Sequence, residues 1–461
     1  MGCCVFALSV LFEILSSRCL YADGAHEFIR VLEARNFVVL MWSRHFAFYI
    51  YEFPLVGAIK LGITQLSWLR LAFGLGCFLP WPLALFACYW ISPQNFWLAV
   101  TGCAAGYLNA AFMAVGEHIL AHALFWPSLF VILFARPLKP AAAVILLVCA
   151  TAILFSYESQ LLLCVPLFFL ALWRAQLERK EENRAGWTIC LVAAALFAAG
   201  VTVGLCGVLM PELQANYSGF KAGSLTLFKH VGWTLSWTVA WICLAVAASL
   251  SETFWQLISR RPGVLVLFTV VIVWGAWPYL APNSGDTGIQ YDHRVLNMLV
   301  PLALLPVALI LRFRPDWIGS KCRRLESLAA ALLIAQSLWQ ISATARWSQE
   351  VVWMRDILAS HHGIVPLHST MLAADGMEGR ELYRNAIGGR FDWTWPCLSL
   401  SLTPGPNVRS FICSEVFLSP AIRAHYWQPF DPLVPKTLPD LRHYGISYSE
   451  YVTALDAAAA K

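Results

Sequence analysis

Charge is scarce in this chain. Of its 461 residues, 13% are Asp, Glu, Lys or Arg, against 59% that are hydrophobic. At a mean hydropathy of +0.64, the chain carries more apolar side chain than a soluble core of this length buries, so the expected class is a polytopic α-helical membrane protein. The net charge of +5 is small. Its basic residues come in short clusters between apolar runs rather than along one face, which argues for membrane topology and against a nucleic-acid partner. Paired metal-binding cysteines are also lacking: the 14 cysteines include no C-x-x-C and mostly sit in apolar segments as small hydrophobes, which argues against a zinc site or a thioredoxin-like motif. The opening Met-Gly-Cys-Cys lacks the Ser or Thr at position 6, here Phe6, of a myristoylation signal. Residues 3 to 20 lack the basic start and small-residue cleavage site of a signal peptide, so an uncleaved first helix is expected.

What is present is a succession of apolar windows. About eleven candidate spans fall near 3 to 20, 68 to 90, 97 to 115, 119 to 135, 141 to 156, 158 to 173, 188 to 210, 231 to 250, 263 to 282, 295 to 312 and 325 to 342. They divide the chain into a transmembrane module, 1 to 342, and a polar C-terminal domain, 343 to 461. Arg136 with Lys139, the run Arg174 to Arg184, Arg260 with Arg261, and Arg312 to Arg324 all fall on one side of these spans, which marks that side as cytoplasmic. The N-terminus is then cytoplasmic. Asp23, Glu117, Glu158, the loops 211 to 230 and 283 to 294, and the tail lie outside, as on the periplasmic side of a bacterial inner membrane.

The first external segment, 21 to 66, is only half polar. In H-E-F-I-R-V-L-E-A-R-N-F, apolar Phe28, Ile29, Val31 and Leu32 stand against Glu27, Arg30, Glu33 and Arg35, the pattern of a helix lying in the interface. Tyr49 to Leu61, interrupted by Glu52, Pro54 and Lys60, is too short to span and is expected to lie along or dip into the outer surface.

An Asp just after the first span, two interfacial helices, the string E-F-P-L-V-G-A-I-K-L-G-I-T-Q-L-S-W-L-R-L (Glu52 to Leu71) and the acid in A-V-G-E-H (Ala114 to His118) together resemble the GT-C class of integral-membrane glycosyltransferases. The likeness is to the aminoarabinose and protein-mannosyl transferase branch, over roughly residues 1 to 175. It implies transfer of a sugar from a polyprenyl phosphate or pyrophosphate donor to a glycan, lipid or protein acceptor on the outer face, with inversion. One carboxylate suffices for that chemistry: it accepts the acceptor hydroxyl's proton while phosphate departs as a stable anion, and no covalent intermediate is needed.

Asp23 is the candidate base by resemblance and location; its sequence context also reads as a cap for the helix that follows, with Glu27 in the first turn. Glu117 is the second candidate, and otherwise a loop residue. His118 and His122, one helical turn apart, would order acceptor or phosphate, or serve as boundary polar groups. Glu158, in S-Y-E-S-Q, reads either as a buried site residue or as a solvated turn. Three neighbouring acids could also hold a divalent metal through oxygen ligands, which the sequence leaves open. The external cations for a lipid phosphate are Arg70, Lys221, Lys229, His293 and Arg294; Arg294 stands out for the two-pronged grip of a guanidinium, against the alternative of interfacial snorkelling.

The tail has Pro- and Gly-rich turns and strand-like pieces at 398 to 402 and 408 to 413, and reads as a small α+β domain in which Cys397 and Cys413 bracket a hairpin and could be bonded. Its aromatic residues Phe391, Trp393, Trp395, Tyr426 and Trp427 read as sugar-stacking platforms, as core, or as an edge resting on the membrane. The rival function is a transporter or flippase of lipid-linked sugars; the absence of an internal repeat and the placing of acids at outer helix ends favour the enzyme. A polysaccharide polymerase or ligase of the same membrane class stays open.

Overall fold

Helices account for most of the chain. The computed structural model describes residues 1–21, 23–39, 41–108, 116–158, 160–209, 288–316, 322–366, 395–413 and 440–448. In chain order they form α1 (Gly2–Leu15), α2 (Asp23–Ala34), α3 (His45–Lys60), α4 (Leu66–Phe78), α5 (Pro80–Ile91), α6 (Phe96–Gly102), α7 (Glu117–Phe134), α8 (Pro140–Leu154), α9 (Gln160–Lys180), α10 (Arg184–Leu209), α11 (Gly288–Phe313), α12 (Cys322–Ser360) and α13 (Trp395–Leu402), with strands β1 (Gly363–Pro366), β2 (Asn407–Val408), β3 (Ser410–Cys413) and β4 (Ser447–Tyr448). A π-helical turn, Cys103–Leu108, extends α6.

Among the described residues, α9, Arg184–Gly207 of α10 and α12 are long and apolar enough to cross a membrane, and α4 and α5, bent by 43° at their junction, are so only when taken together, as a broken span or a re-entrant loop. Pro80 causes the break, because it opens α5 where its ring cannot continue α4. Shorter apolar helices include α1, α8, His118–Phe134 and Met298–Phe313. Every expected apolar window holds helix except 231 to 250 and 263 to 282, which lie outside the described residues. The two segments expected to lie in the interface form the helices α2 and α3.

The helices share two well-defined ends. At one, Arg174 of α9 donates to the Ala135 carbonyl after α7 (2.7 Å), Arg136 pairs with Glu181 (3.8 Å), and Arg312 of α11 lies over the Trp173 ring. The other end collects α2, α3, the start of α7 and the α8–α9 turn. There Gln160, the first residue of α9, accepts from the backbone N–H of Ser156 (3.0 Å) and Tyr157 (2.6 Å), satisfying donors that the turn would otherwise bury. α12 runs alongside α1: Gly2 lies against Ala330, Arg18 bonds Thr344 (3.1 Å), and Trp347 donates to the Ser16 carbonyl (3.2 Å). At 39 residues, or about 58 Å at 1.5 Å per residue, α12 outruns a hydrocarbon core of about 30 Å. It passes residue 343 without a break and carries the C-terminal elements at its far end.

Those elements correct one expectation. Residues 398 to 402 are not a strand but part of α13, and the pairings are parallel, β1 with β3 and β2 with β4, rather than a hairpin. The alternation L-S-L-S-L imitates a half-buried strand, yet Ser399 and Ser401 are as buried as their leucine neighbours. Their hydroxyls donate to the carbonyls of Trp395 and Cys397 (2.8 Å each), and Ser399 also accepts from Ile412 N–H of β3 (3.0 Å). Backbone bonding by serine thus satisfies a polar group in a helix without exposing it. The side chain of Cys413 lies outside the described residues, so its pairing with Cys397 does too, as do Phe391, Trp393, Tyr426 and Trp427; Trp395 is buried.

Candidate functional site

Asp23 is the first residue of α2, half-buried, where the exposed N–H groups and helix dipole favour an anion. α2 forms as a helix because Ala25, Phe28, Ile29, Val31 and Leu32 make an apolar stripe against the bundle. Tyr21 just before it packs edge-on against Trp347 of α12 (5.7 Å), and Tyr444 from the C-terminal elements donates to the Leu32 carbonyl (3.0 Å). Asp23 therefore stands at the opening of a helix fixed from both sides.

One turn further on, the sequence reading needs correction. Glu27, grouped with the solvent-facing charges, is 2% exposed, and Glu52 of α3 is 0% exposed. The two carboxyls lie within hydrogen-bonding reach of each other, and Glu52 Oε2 accepts from Val38 N–H (2.8 Å). A buried carboxyl pair is stable with one shared proton, one O–H donating to the other carboxylate. Burial, the largest influence, pushes Glu52 up to about 8. Burial likewise pushes the adjacent His26 down to about 4, helped by Arg30, so it stays neutral at pH 7.

Glu158, in the α8–α9 turn, is also 2% exposed, which answers the question the sequence leaves open: it is not a solvated turn residue. Ser43 Oγ donates to it (2.6 Å), and Arg44 grips both its oxygens through Nε (3.0 and 3.3 Å) and a terminal nitrogen (3.0 Å). The Arg44 guanidinium also covers the Tyr157 ring at 4.6 Å. Burial alone would raise the Glu158 carboxyl; the charge of Arg44 and bonds from Arg44 and Ser43 outweigh it and hold the carboxyl below its usual range. Nothing in the sequence links residues 43 and 44 to 158, since no spacing rule reaches that far.

α7 begins at Glu117, whose side chain lies outside the described residues. The Gly116 carbonyl just before it accepts from Tyr51 Oη of α3 (2.8 Å), so Asp23 and Glu117 open helices tied to the same α3. His118 and His122 both turn inward. His118 is buried with its ring 5.6 Å from Tyr157, and His122 is fully buried beside Trp81 (4.9 Å) and Trp126 (6.2 Å). Gly106, in the π-helical turn, leaves the space that the His122 ring occupies. A further buried pair escapes sequence reading: Arg18, just past α1, meets Glu13 (3.1 Å) and Thr344, with Ser9 Oγ donating to Glu13 (3.0 Å).

Of the cations, Arg70 donates to the Ser401 carbonyl at 2.6 Å. His293 and Arg294 lie in the first turns of α11, with side chains outside the described residues; Lys221 and Lys229 lie outside them altogether. Among the described residues, no three His, Cys, Asp or Glu side chains group to hold a metal ion. Glu13, Glu27, Glu52 and Glu158 are thus almost wholly buried and engaged, whereas Asp23 keeps partial access to its surroundings.

No protein-family model matches the chain, nor does any curated protein or solved structure.

Proposed function

We propose that this membrane protein is a glycosyltransferase of GT-C type, which moves a sugar from a polyprenyl-phosphate-type lipid donor to an acceptor at the outer face of the membrane, with inversion. The observation that carries the reading is the contrast at one end of the bundle: Glu27 and Glu52 are buried against each other and Glu158 is buried against Arg44, while Asp23, opening α2 shortly after the first apolar helix, stays partly exposed. In the proposed step the acceptor hydroxyl oxygen attacks the anomeric carbon, its proton passes to the Asp23 carboxylate, and the bond to the donor's phosphate oxygen breaks so that phosphate leaves as an anion. Arg294 and His293 on α11 are the proposed donor-phosphate residues, with Lys221, Lys229 and Arg70 as further cations, and His118 and His122 shape the wall near Glu117. About eleven spans, a cytoplasmic N-terminus and an extracytoplasmic C-terminal domain complete the proposal.

The test is turnover of lipid-linked sugars, extracted from membranes, by purified protein in a defined bilayer. Release of free polyprenyl phosphate or pyrophosphate together with glycosylated acceptor supports the reading. Movement of intact lipid-linked sugar between leaflets, with no such release, replaces it with a flippase.

A further inference from the structure

At the end of the bundle away from Asp23, direct contacts bring three arginines together. Arg174 of α9 is 1% exposed; its Nε donates to Glu178 (2.7 Å) and its Nη2 to the Ala135 carbonyl (2.7 Å). The second bond brings the next residue, Arg136, to the same place, where it pairs loosely with Glu181 (3.8 Å). Trp173, the residue before Arg174, lies under the Arg312 guanidinium of α11, 5.9 Å from the ring centre, and meets the Phe313 ring edge-on (5.2 Å). Two donors are left over. Among the described residues, neither Nη1 of Arg174 nor Nε of Arg312 has a hydrogen-bond partner, although both atoms are buried. Buried guanidinium donors without an acceptor cost free energy that an anion within reach would recover.

The surroundings specify that anion. Guanidinium forks match the tetrahedral oxygens of a phosphate. Val165, Phe169 and Trp173 follow one another at four-residue intervals on one face of α9; Val165 is 39% and Phe169 62% exposed, and Phe313 beside Trp173 is 53% exposed. From Val165 to Trp173 the helix rises about 12 Å at 1.5 Å per residue, close to one leaflet's share of a hydrocarbon core of about 30 Å. A free anion would leave that stripe unused, whereas a phospholipid would lay an acyl chain along it with its headgroup at the arginines. We infer that Arg136, Trp173 and Arg312 form the seat of one anionic phospholipid, with Nε of Arg312 and Nη1 of Arg174 as donors to its phosphate. Arg312 is only half-buried, so its side chain can turn off Trp173 to admit the headgroup. Such a lipid would tie together the ends of α7, α9 and α11. The seat depends on the membrane reading of the chain but not on glycosyl transfer, and shares no residue with the proposed donor site.

The experiment reads lipid binding rather than turnover. Full-length protein, stripped of lipid in detergent, is titrated with phosphatidylglycerol, phosphatidylcholine or inorganic phosphate, and bound molecules are counted by native mass spectrometry. Wild type is expected to hold one phosphatidylglycerol about tenfold more tightly than phosphatidylcholine, and Arg312→Gln should remove most of that preference. Arg136→Gln should weaken binding too, and because this exposed side chain contributes only a loose pair with Glu181, the melting temperature in detergent should stay unchanged. Arg179→Gln removes the same charge from the same end at an exposed position, and should leave binding as in wild type. Equal binding of phosphatidylglycerol by wild type and the Arg136→Gln, Arg312→Gln double variant overturns the seat, as does phosphatidylcholine held as tightly as phosphatidylglycerol. A loss in Arg179→Gln as large as in Arg312→Gln overturns it in favour of diffuse attraction to the basic end. Inorganic phosphate bound as tightly as phosphatidylglycerol overturns its assignment to a lipid.

Discussion

Arg44 and Glu158 form a buried ion pair that holds distant parts of the chain together. Between them they join the start of α3 to the α8–α9 turn, 114 residues away, through charge-assisted bonds that Ser43 completes. Arg44→Ala would leave a buried carboxylate without its cation, a change that costs about 3 to 5 kcal/mol; Glu158→Gln in the same background should recover part of it, as read from thermal unfolding in detergent. Because the folded protein holds Glu158 below its usual range, the pair's contribution is present above the unfolded carboxyl's value and is lost as pH falls through the folded one. Asp23 calls for a different substitution. Asn caps helices about as well as Asp but accepts no proton, so Asp23→Asn should fold normally while turnover of lipid-linked sugar falls by about a hundredfold or more. Turnover near wild type would remove Asp23 as base and pass the role to Glu117, whose Gln variant would then have to be inactive. The acids themselves were legible in the sequence, since a carboxylate at a membrane boundary needs a reason; their partners were not, because Arg44 and Glu158, or Arg18 and Thr344, meet only once the bundle is assembled.

Among elements, α2 and α3 carry the candidate site and also the features least visible beforehand. The sequence gives both helices away through periodic apolar residues, but it puts Glu27 on the wet face because it contains no sign that α3 brings Glu52 over that face. The pair makes a pH dependence. With Glu52 raised to about 8, the folded state binds more protons than the unfolded one between an ordinary carboxyl value and 8, so stability should decline as pH rises through that window and level off above it. Glu52→Gln mimics the protonated partner, since its carbonyl can still accept from Val38 and its amide can donate to Glu27; unfolding temperatures measured from pH 5 to 9 should therefore vary less in this variant than in wild type. An unchanged slope would show that the pair does not share a proton. Packing between α3 and α4 is as specific. A Cβ on Gly76 would overlap the Tyr51 carbonyl, which is backbone and cannot rotate away. Gly76→Ala should cost about 1 to 3 kcal/mol, an overpacking penalty that thermal unfolding would register; Gly57, with open space around it, is the matched control.

For the whole molecule, apolar windows and helices coincide wherever the structure describes them, because burying a hydrogen-bonded backbone in a membrane leaves few choices but helix. The tail was less legible: its strand-like serine and leucine alternation folds as α13, since buried hydroxyls bonded to the backbone defeat a reading that equates polar with exposed. Orientation follows from the charges at the two ends. Arg136, Lys139, Arg174, Arg179, Lys180, Arg184, Arg312 and Arg314 crowd the end where α7, α9 and α11 finish and α8 and α10 begin. Glu178 and Glu181 offset only part of that charge, through Arg174 (2.7 Å) and Arg136 (3.8 Å). Asp23, Glu27, Glu52 and Glu158 belong to the opposite end, to which α12 delivers the C-terminal elements. Retention of basic loops in the cytoplasm would place the first end inside and the acid-bearing end outside. A reporter active only in the cytoplasm should then work when inserted at Glu181, between α9 and α10, and a reporter active only outside should work when fused after Lys461. The two fusions test opposite ends of the same bundle, so they must disagree with each other if the placement is right. The reverse result at either position would put Asp23 on the cytoplasmic face, where a donor displayed on the outer leaflet cannot reach it.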